Sequence, residues 1–103
     1  MVTDTSIVDQ LRQKLGENAV KLQHTADGIV TCWIARQNFH DALRYQKDEV
    51  NQPYRMLYDL TAIDERMRAH REGQPPSEFT MVYHLLSFDR NEYIRIKVPL
   101  KRD

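Results

Sequence analysis

At 103 residues, with 41% hydrophobic and 29% charged residues, the chain has material for one hydrophobic core and too little for two. Lys plus Arg and Asp plus Glu number 15 each, so no global field draws the chain to nucleic acid or anionic lipid. A single cysteine, Cys32, excludes an internal disulfide and cannot supply the roughly four ligands of an iron–sulfur cluster or a structural zinc.

The opening MVTDTSIVDQ has neither a cationic start followed by an apolar run nor a small-residue cleavage site. No later stretch approaches the roughly 18 apolar residues of a membrane span, so the chain is expected to stay in the cytosol. Ser6 precedes Ile7, Val8, Leu11 and Leu15, apolar positions three to four apart, with Asp9 in the first turn and Gly16 as a stop. That pattern predicts a short amphipathic helix. Val20 and Leu22 then alternate with Lys21 and Gln23, Asp27-Gly28 supplies the residues of a tight turn, and Ile29 to Ile34 is β-branched and aromatic. A β-hairpin follows from these three features.

From Asn38 to Asp48, Phe39, Ala42 and Leu43 recur at helical spacing, with Asn38 or Gln37 near the start, and Asn51-Gln52-Pro53 ends the helix. Tyr54 to Ile63 mixes large aromatics with leucine and reads as a buried strand. Asp64 is placed to cap a short helical excursion through DERMRAHREG that Gly73 terminates. After the break at Gln74-Pro75-Pro76-Ser77, Phe79 to Leu86 is a nearly continuous apolar strand suited to the middle of a sheet, and Asp89-Arg90-Asn91 makes the next turn. The last strand alternates most clearly: Ile94, Ile96, Val98 and Leu100 on one face, Tyr93, Arg95 and Lys97 on a wet one. The order α-β-β-α-β-β-β predicts an α+β fold, a mostly antiparallel sheet of about five strands with helices on one face.

Chemistry is sparse. His24, His40, His70 and His84 include no pair at the spacing of typical zinc sites, and His84, inside an apolar strand, is expected to be satisfied by a neighbouring carbonyl or side chain. The three glycines, Gly16, Gly28 and Gly73, all fall at turns or caps, so neither a phosphate loop nor a dinucleotide fingerprint is assembled. No Ser or Cys sits in a local nucleophile signature. The most unusual local feature is the run Asp64 to Gly73, where Arg66, Arg68 and Arg71 stand close together in a balanced chain. Charge pattern alone favours a solvated turn whose arginines pair with Glu65 and Glu72, each exposed pair contributing about 0.3–0.5 kcal/mol. The competing reading is a contact for a carboxylate-bearing partner, because guanidinium forks bind carboxylates bidentately.

Read continuously, PYRMLYDLTAIDERMRAHREG followed by FTMVYHLLSFDRNEYIRIKVPL resembles the 30-kilodalton subunit family of respiratory complex I, called the C subunit in bacteria. The resemblance spans Pro53 to Leu100, and the DERMRAHREG insertion makes it most similar to the fused C/D form, in which the C part runs directly into the D part. The first fifty residues resemble the family more loosely, through helix, hairpin with Trp33-Ile34, and helix in the same order. The family continues past the last strand into a segment with a Glu-Arg-Glu motif. This sequence stops at Asp103 without it, so residues 1–103 are expected to form a single domain, the N-terminal part of that subunit.

The resemblance implies a subunit of NADH:quinone oxidoreductase, a translocase, on the cytoplasmic side of the bacterial inner membrane, peripheral and without membrane insertion. It implies partners among the hydrophilic-arm subunits, especially the D subunit of the quinone site and the iron–sulfur subunits. The FMN and iron–sulfur clusters belong to the assembled enzyme, with no cofactor, metal or catalytic residue in this chain. Raised by the resemblance above the solvated-turn reading, Arg66, Arg68 and Arg71 become contact candidates, joined by Tyr93, Arg95 and Lys97 on the wet strand face, since Tyr and Arg are enriched at interface hot spots. Two rivals come from other classes. A free-standing single-stranded nucleic-acid binder would stack bases on Tyr93 between Arg95 and Lys97, against a neutral net charge. A small hydrolase would need a nucleophile and base brought together in space.

Overall fold

The alternation that ends the sequence becomes the centre of the sheet. A computed structural model of the chain describes residues 7–50, 52–67 and 74–101. In chain order these form α1 (Ile7–Leu15), a 3-10 turn (Glu17–Ala19), β1 (Val20–Gln23), β2 (Val30–Ile34) and α2 (Arg36–Arg44) running into a π turn (Tyr45–Glu49). Three nine-residue strands follow: β3 (Met56–Asp64), β4 (Phe79–Ser87) and β5 (Glu92–Leu100). They make one sheet in the order β1-β2-β5-β4-β3. The β1–β2, β4–β5 and β3–β4 pairings are antiparallel, whereas β2 and β5 run parallel, so the sheet is mixed. The α+β class and the five strands are as expected; the parallel pairing is not written in either strand, because it depends on which edge of the hairpin β5 meets.

The core follows from period. In β5, Ile94, Ile96 and Val98 are buried on the face that also receives Cys32 and Ile34 of β2, Ile7, Val8 and Leu11 of α1, and Ala42 of α2. Both helices therefore cover one side of β1, β2 and β5, which removes the apolar stripe of each element from water. Gly16 ends α1 at φ 114°, in a region L side chains rarely adopt, and its N–H donates to the Arg12 carbonyl at 2.8 Å. Asn91 makes the β4–β5 turn at φ 53°, a left-handed conformation that Asn tolerates, while Ser87 Oγ accepts the Arg90 N–H at 3.1 Å.

Local expectations fail in four places. The β1–β2 connection is six residues long, 24–29, rather than a tight two-residue turn, because the Asp27 carboxylate organises it by accepting the Thr25 hydroxyl (2.6 Å) and the Ile29 N–H (3.1 Å). Helix α2 starts two residues before Asn38, with Ala35 at its N-cap and no side-chain cap, so neither Asn38 nor Gln37 caps it. Strand β3 is not buried: every residue of it but Ile63 is exposed, because the helices do not extend over this edge. Asp64 ends β3 instead of opening a helix, and Arg66 and Met67 form a turn. Ser6, His70 and Gly73 lie outside the described residues.

Because Ile96 is fully buried, Ile96→Asp is expected to cost about 3 kcal/mol or more, an unpaired charge having entered the core. Lys97→Asp is expected to cost only about 1 kcal/mol, since Lys97 lies half-buried on the other face. Urea melts of the two variants measure the difference; equal losses would contradict the assignment of faces.

Candidate docking surfaces

Of the three insertion arginines, Arg66 is described, while Arg68 and Arg71 lie outside the described residues. The Asp64 carboxylate binds Arg66 in fork geometry, accepting Nε at 2.9 Å and Nη2 at 2.7 Å, and also accepts the Arg66 backbone N–H at 3.0 Å. The guanidinium lies 5.0 Å from the centre of the Phe79 ring. Arg66 thus pairs with Asp64 rather than with Glu65, whose carboxylate instead accepts the Thr80 hydroxyl.

The face of the sheet away from the helices is less wet than the alternation implies. Tyr93 is 41% exposed, but the Arg95 side chain is only 15% exposed and lies across three strands. Its Nη2 donates to Asp27 at 2.7 Å, its Nη1 to Thr31 Oγ1 at 3.2 Å, and its Nε to His84 Nε2 at 2.8 Å. Lys97 donates to Gln23 Oε1 at 3.2 Å and sits 5.3 Å from the Trp33 ring, whose Nε1 donates to the same oxygen at 2.7 Å. Arg95 and Lys97 are therefore committed to the sheet, and of the predicted trio Tyr93 alone is exposed. Stacking bases between two available cations has no geometric basis here.

The strand that does offer surface is β3, which composition had placed in the interior. Met56, Leu57, Tyr58 and Leu60 are all exposed, with Leu57 at 51% and Leu60 at 46%. A bulge at Tyr58 explains their arrangement. Leu57 pairs with Leu85 and Leu60 with Tyr83, so two residues three apart share the helix-side face, whereas a regular strand would send them to opposite faces. On the other face Tyr58 lies 5.3 Å from Tyr93, ring centre to ring centre, and Asp59 lies 3.9 Å from His84 Nδ1. The signal available in the sequence was Asp59, an acid in the middle of an otherwise apolar run and out of place in a buried strand.

Among the described residues little suits bond-making chemistry. Cys32 is fully buried and its thiol is pushed up to about 11 by burial, so it is neither a nucleophile nor a cluster ligand, and one cysteine cannot hold an iron–sulfur group. Ser87 Oγ contacts the Gln52 carbonyl and the Arg90 N–H, and Ser77 Oγ contacts Thr80; neither is bonded to a histidine. Among the described residues no three His, Cys, Asp or Glu side chains converge as a metal site, and no helix is long and apolar enough to cross a membrane.

The Arg95 network has a pH signature. Hydrogen bonds from Arg95, then from Thr25 and the Ile29 N–H, hold the Asp27 carboxyl well below the usual carboxylate range. Burial first, then the Arg95 charge, lowers the pKa of His84, whose Nε2 accepts from Arg95 and so leaves the proton of the neutral ring on Nδ1. Both folded values lie below the unfolded ones of about 3.9 and 6.5, so the stabilisation is complete above them and is lost as pH falls through the folded values. Stability is expected to decline first below about pH 6.5 and again below about pH 4. In Arg95→Ala the second decline should shrink and the His84 titration, followed by NMR, should move upward; a wild-type His84 titrating at or above about 6.5 would contradict this assignment.

Comparison with known proteins places this geometry. Residues 32–103 match the family model described as respiratory-chain NADH dehydrogenase, 30 Kd subunit. Similar relatives include the NADH-quinone oxidoreductase C/D subunits of Acidiphilium cryptum (53% identical over 97 residues, 94% of this chain and 16% of the relative) and Nitrosospira multiformis (56% over 79 residues, 77% and 13%). That of Methylococcus capsulatus is 44% identical over 95 residues, 92% of this chain and 16% of the relative. The chain thus spans about one-sixth of the length of such relatives. A match over residues 32–103 together with such identities lends no support to the nucleic-acid reading, and the chain belongs to the 30-kilodalton subunit family of respiratory-chain NADH dehydrogenase.

Proposed function

We propose that this chain is the docking portion of a fused C/D subunit in the peripheral arm of the proton-translocating NADH:quinone oxidoreductase. In this reading it sits on the cytoplasmic side of the inner membrane and holds the quinone-site and iron–sulfur subunits in register. FMN and the iron–sulfur clusters reside elsewhere in the assembly, and no electron passes through this chain. The single observation that carries the reading is the identity of up to 56% to proteins named as the C/D subunit of NADH-quinone oxidoreductase. The geometry fits it: a sheet whose outer-face cations are tied to their neighbours, a buried thiol, and one open strand is suited to positioning neighbours rather than to catalysis. Electron transfer falls steeply with distance, so a part that fixes spacing governs rate without touching an electron.

Arg66, Arg68, Arg71, Tyr93, Arg95 and Lys97 divide under this reading. Arg95 and Lys97 are structural, through the bonds they make within the sheet, whereas Tyr93 and the arginine insertion remain contact candidates. Charge reversal of Arg66, Arg68 and Arg71 together is expected to shift the melting midpoint of the purified protein little, because an exposed pair such as Arg66–Asp64 is screened by solvent and contributes little to stability. The same variant should lower the fraction of the protein recovered in the intact enzyme and the NADH-driven reduction of quinone by membranes. Oxidation of NADH by a soluble artificial acceptor, which bypasses the quinone site, should fall less. Wild-type assembly and quinone reduction in a stably expressed variant would assign the arginines to solvent.

A further inference from the structure

Between the end of α2 and the β3 edge runs an apolar groove of about 210 Å³, lined by Leu43, Tyr83, Leu85 and Leu57 and bounded by Lys47 and Arg55. Three observations single it out. The bulge at Tyr58 adds Leu60 to the same face as Leu57, so the groove floor continues along β3 as exposed leucine. The helix layer stops at α2, leaving this part of the sheet face uncovered, although an apolar sheet face is ordinarily closed by a packed layer. Lys47 and Arg55 are both exposed at its rim and, like Lys21, Arg36 and Arg44 elsewhere, form no ion pair among the described residues, so the groove is edged by two available cations.

We infer that this groove receives an amphipathic helix of a partner subunit, its leucine-type stripe set against Leu57, Leu60, Tyr83 and Leu85 and its flanking carboxylates against Lys47 and Arg55. The occupant's chemistry follows from the walls. Apolar area at the floor selects an apolar stripe, and two cations at the rim select acids and reject a basic helix, since like charges brought together across an interface are strongly unfavourable. A helix rather than a strand fits because the floor is a sheet face, beside which α2 already lies as the neighbouring helix. The bulge is then part of the site: were Tyr58 paired regularly, Leu60 would point to the opposite face and the stripe would lose that part of its floor.

This inference rests on the chain being part of the assembled enzyme, and the test separates the two. Leu60→Cys in the full-length protein gives a thiol whose maleimide labelling is read at that position by peptide mapping, Cys32 of the same region being buried. Labelling is compared between enzyme-containing membranes and the unassembled protein, and a photo-crosslinking residue at the same position is mapped to its target peptide. A groove occupied about nine-tenths of the time slows labelling about tenfold, and the crosslink is expected on a helix bearing Asp or Glu beside its apolar residues. Lys47→Glu with Arg55→Glu should reduce the crosslink yield, and reversing the partner's acid to Lys should restore it. Undiminished labelling in membranes that contain the protein overturns the groove alone. So does a crosslink to a second copy, to a later segment of the same chain, or to a peptide without acids. Absence of the wild-type protein from the purified enzyme overturns both the groove and the reading on which it rests.

Discussion

Strand β5 is paired on both sides, and its alternation decides where everything else goes. Ile94, Ile96 and Val98 on one face create the apolar area that α1 and α2 close; Arg95 and Lys97 on the other bring cationic groups that Asp27 and Gln23 hold in place. An apolar face one residue out of phase would exchange the two sides of the entire sheet, because side chains along a strand repeat every second residue. The parallel register of Thr31 with Arg95 and Cys32 with Ile96 carries the same phase into β2. From there the β1 pairing of Leu22 with Cys32 transmits it to the far edge.

That dependence explains what was legible in the sequence. Elements whose order is local were readable: the spacing of Ile7, Val8 and Leu11, and the alternation from Tyr93 to Leu100. What failed needed knowledge of neighbours. Tyr54 to Ile63 has the composition of a buried strand, yet only Tyr54 is buried, since composition does not tell which strand ends at an edge. The bulge at Tyr58 has no signature in residue type, and it alone puts Leu57 and Leu60 together. Likewise Arg95 reads as a solvent-facing residue until Asp27, 68 positions earlier, and His84 are seen to meet it. Family membership was legible from the two runs on either side of the insertion, whereas Arg68 and Arg71 lie outside the described residues.

The two faces of the sheet solve opposite problems. On the outer face, a polar layer is closed by its own members: Arg95 spans Asp27, Thr31 and His84, and Lys97 with Trp33 shares Gln23. Side chains bonded in this way gain little from a partner, because docking would only exchange existing bonds for new ones, and His84 Nδ1, 3.9 Å from Asp59, is the buried atom of this layer that has no hydrogen-bond partner. On the inner face over β3 the reverse holds, with leucine area left in water and Lys47 and Arg55 left without ion pairs among the described residues. Free energy remains to be gained there, which is the physical distinction between a finished surface and an open one.

An open edge strand also has a cost. A nine-residue strand with exposed leucine, methionine and tyrosine is a template on which other copies can add, the first step toward fibrils or amorphous precipitate. Strand β3 carries Asp59 and Asp64 within those nine residues, and the bulge at Tyr58 interrupts its regular ladder. Charge and irregularity on an edge are the devices by which sheets discourage such growth. The bulge that shapes the groove is thus also one of the devices that limit growth of the sheet at this edge.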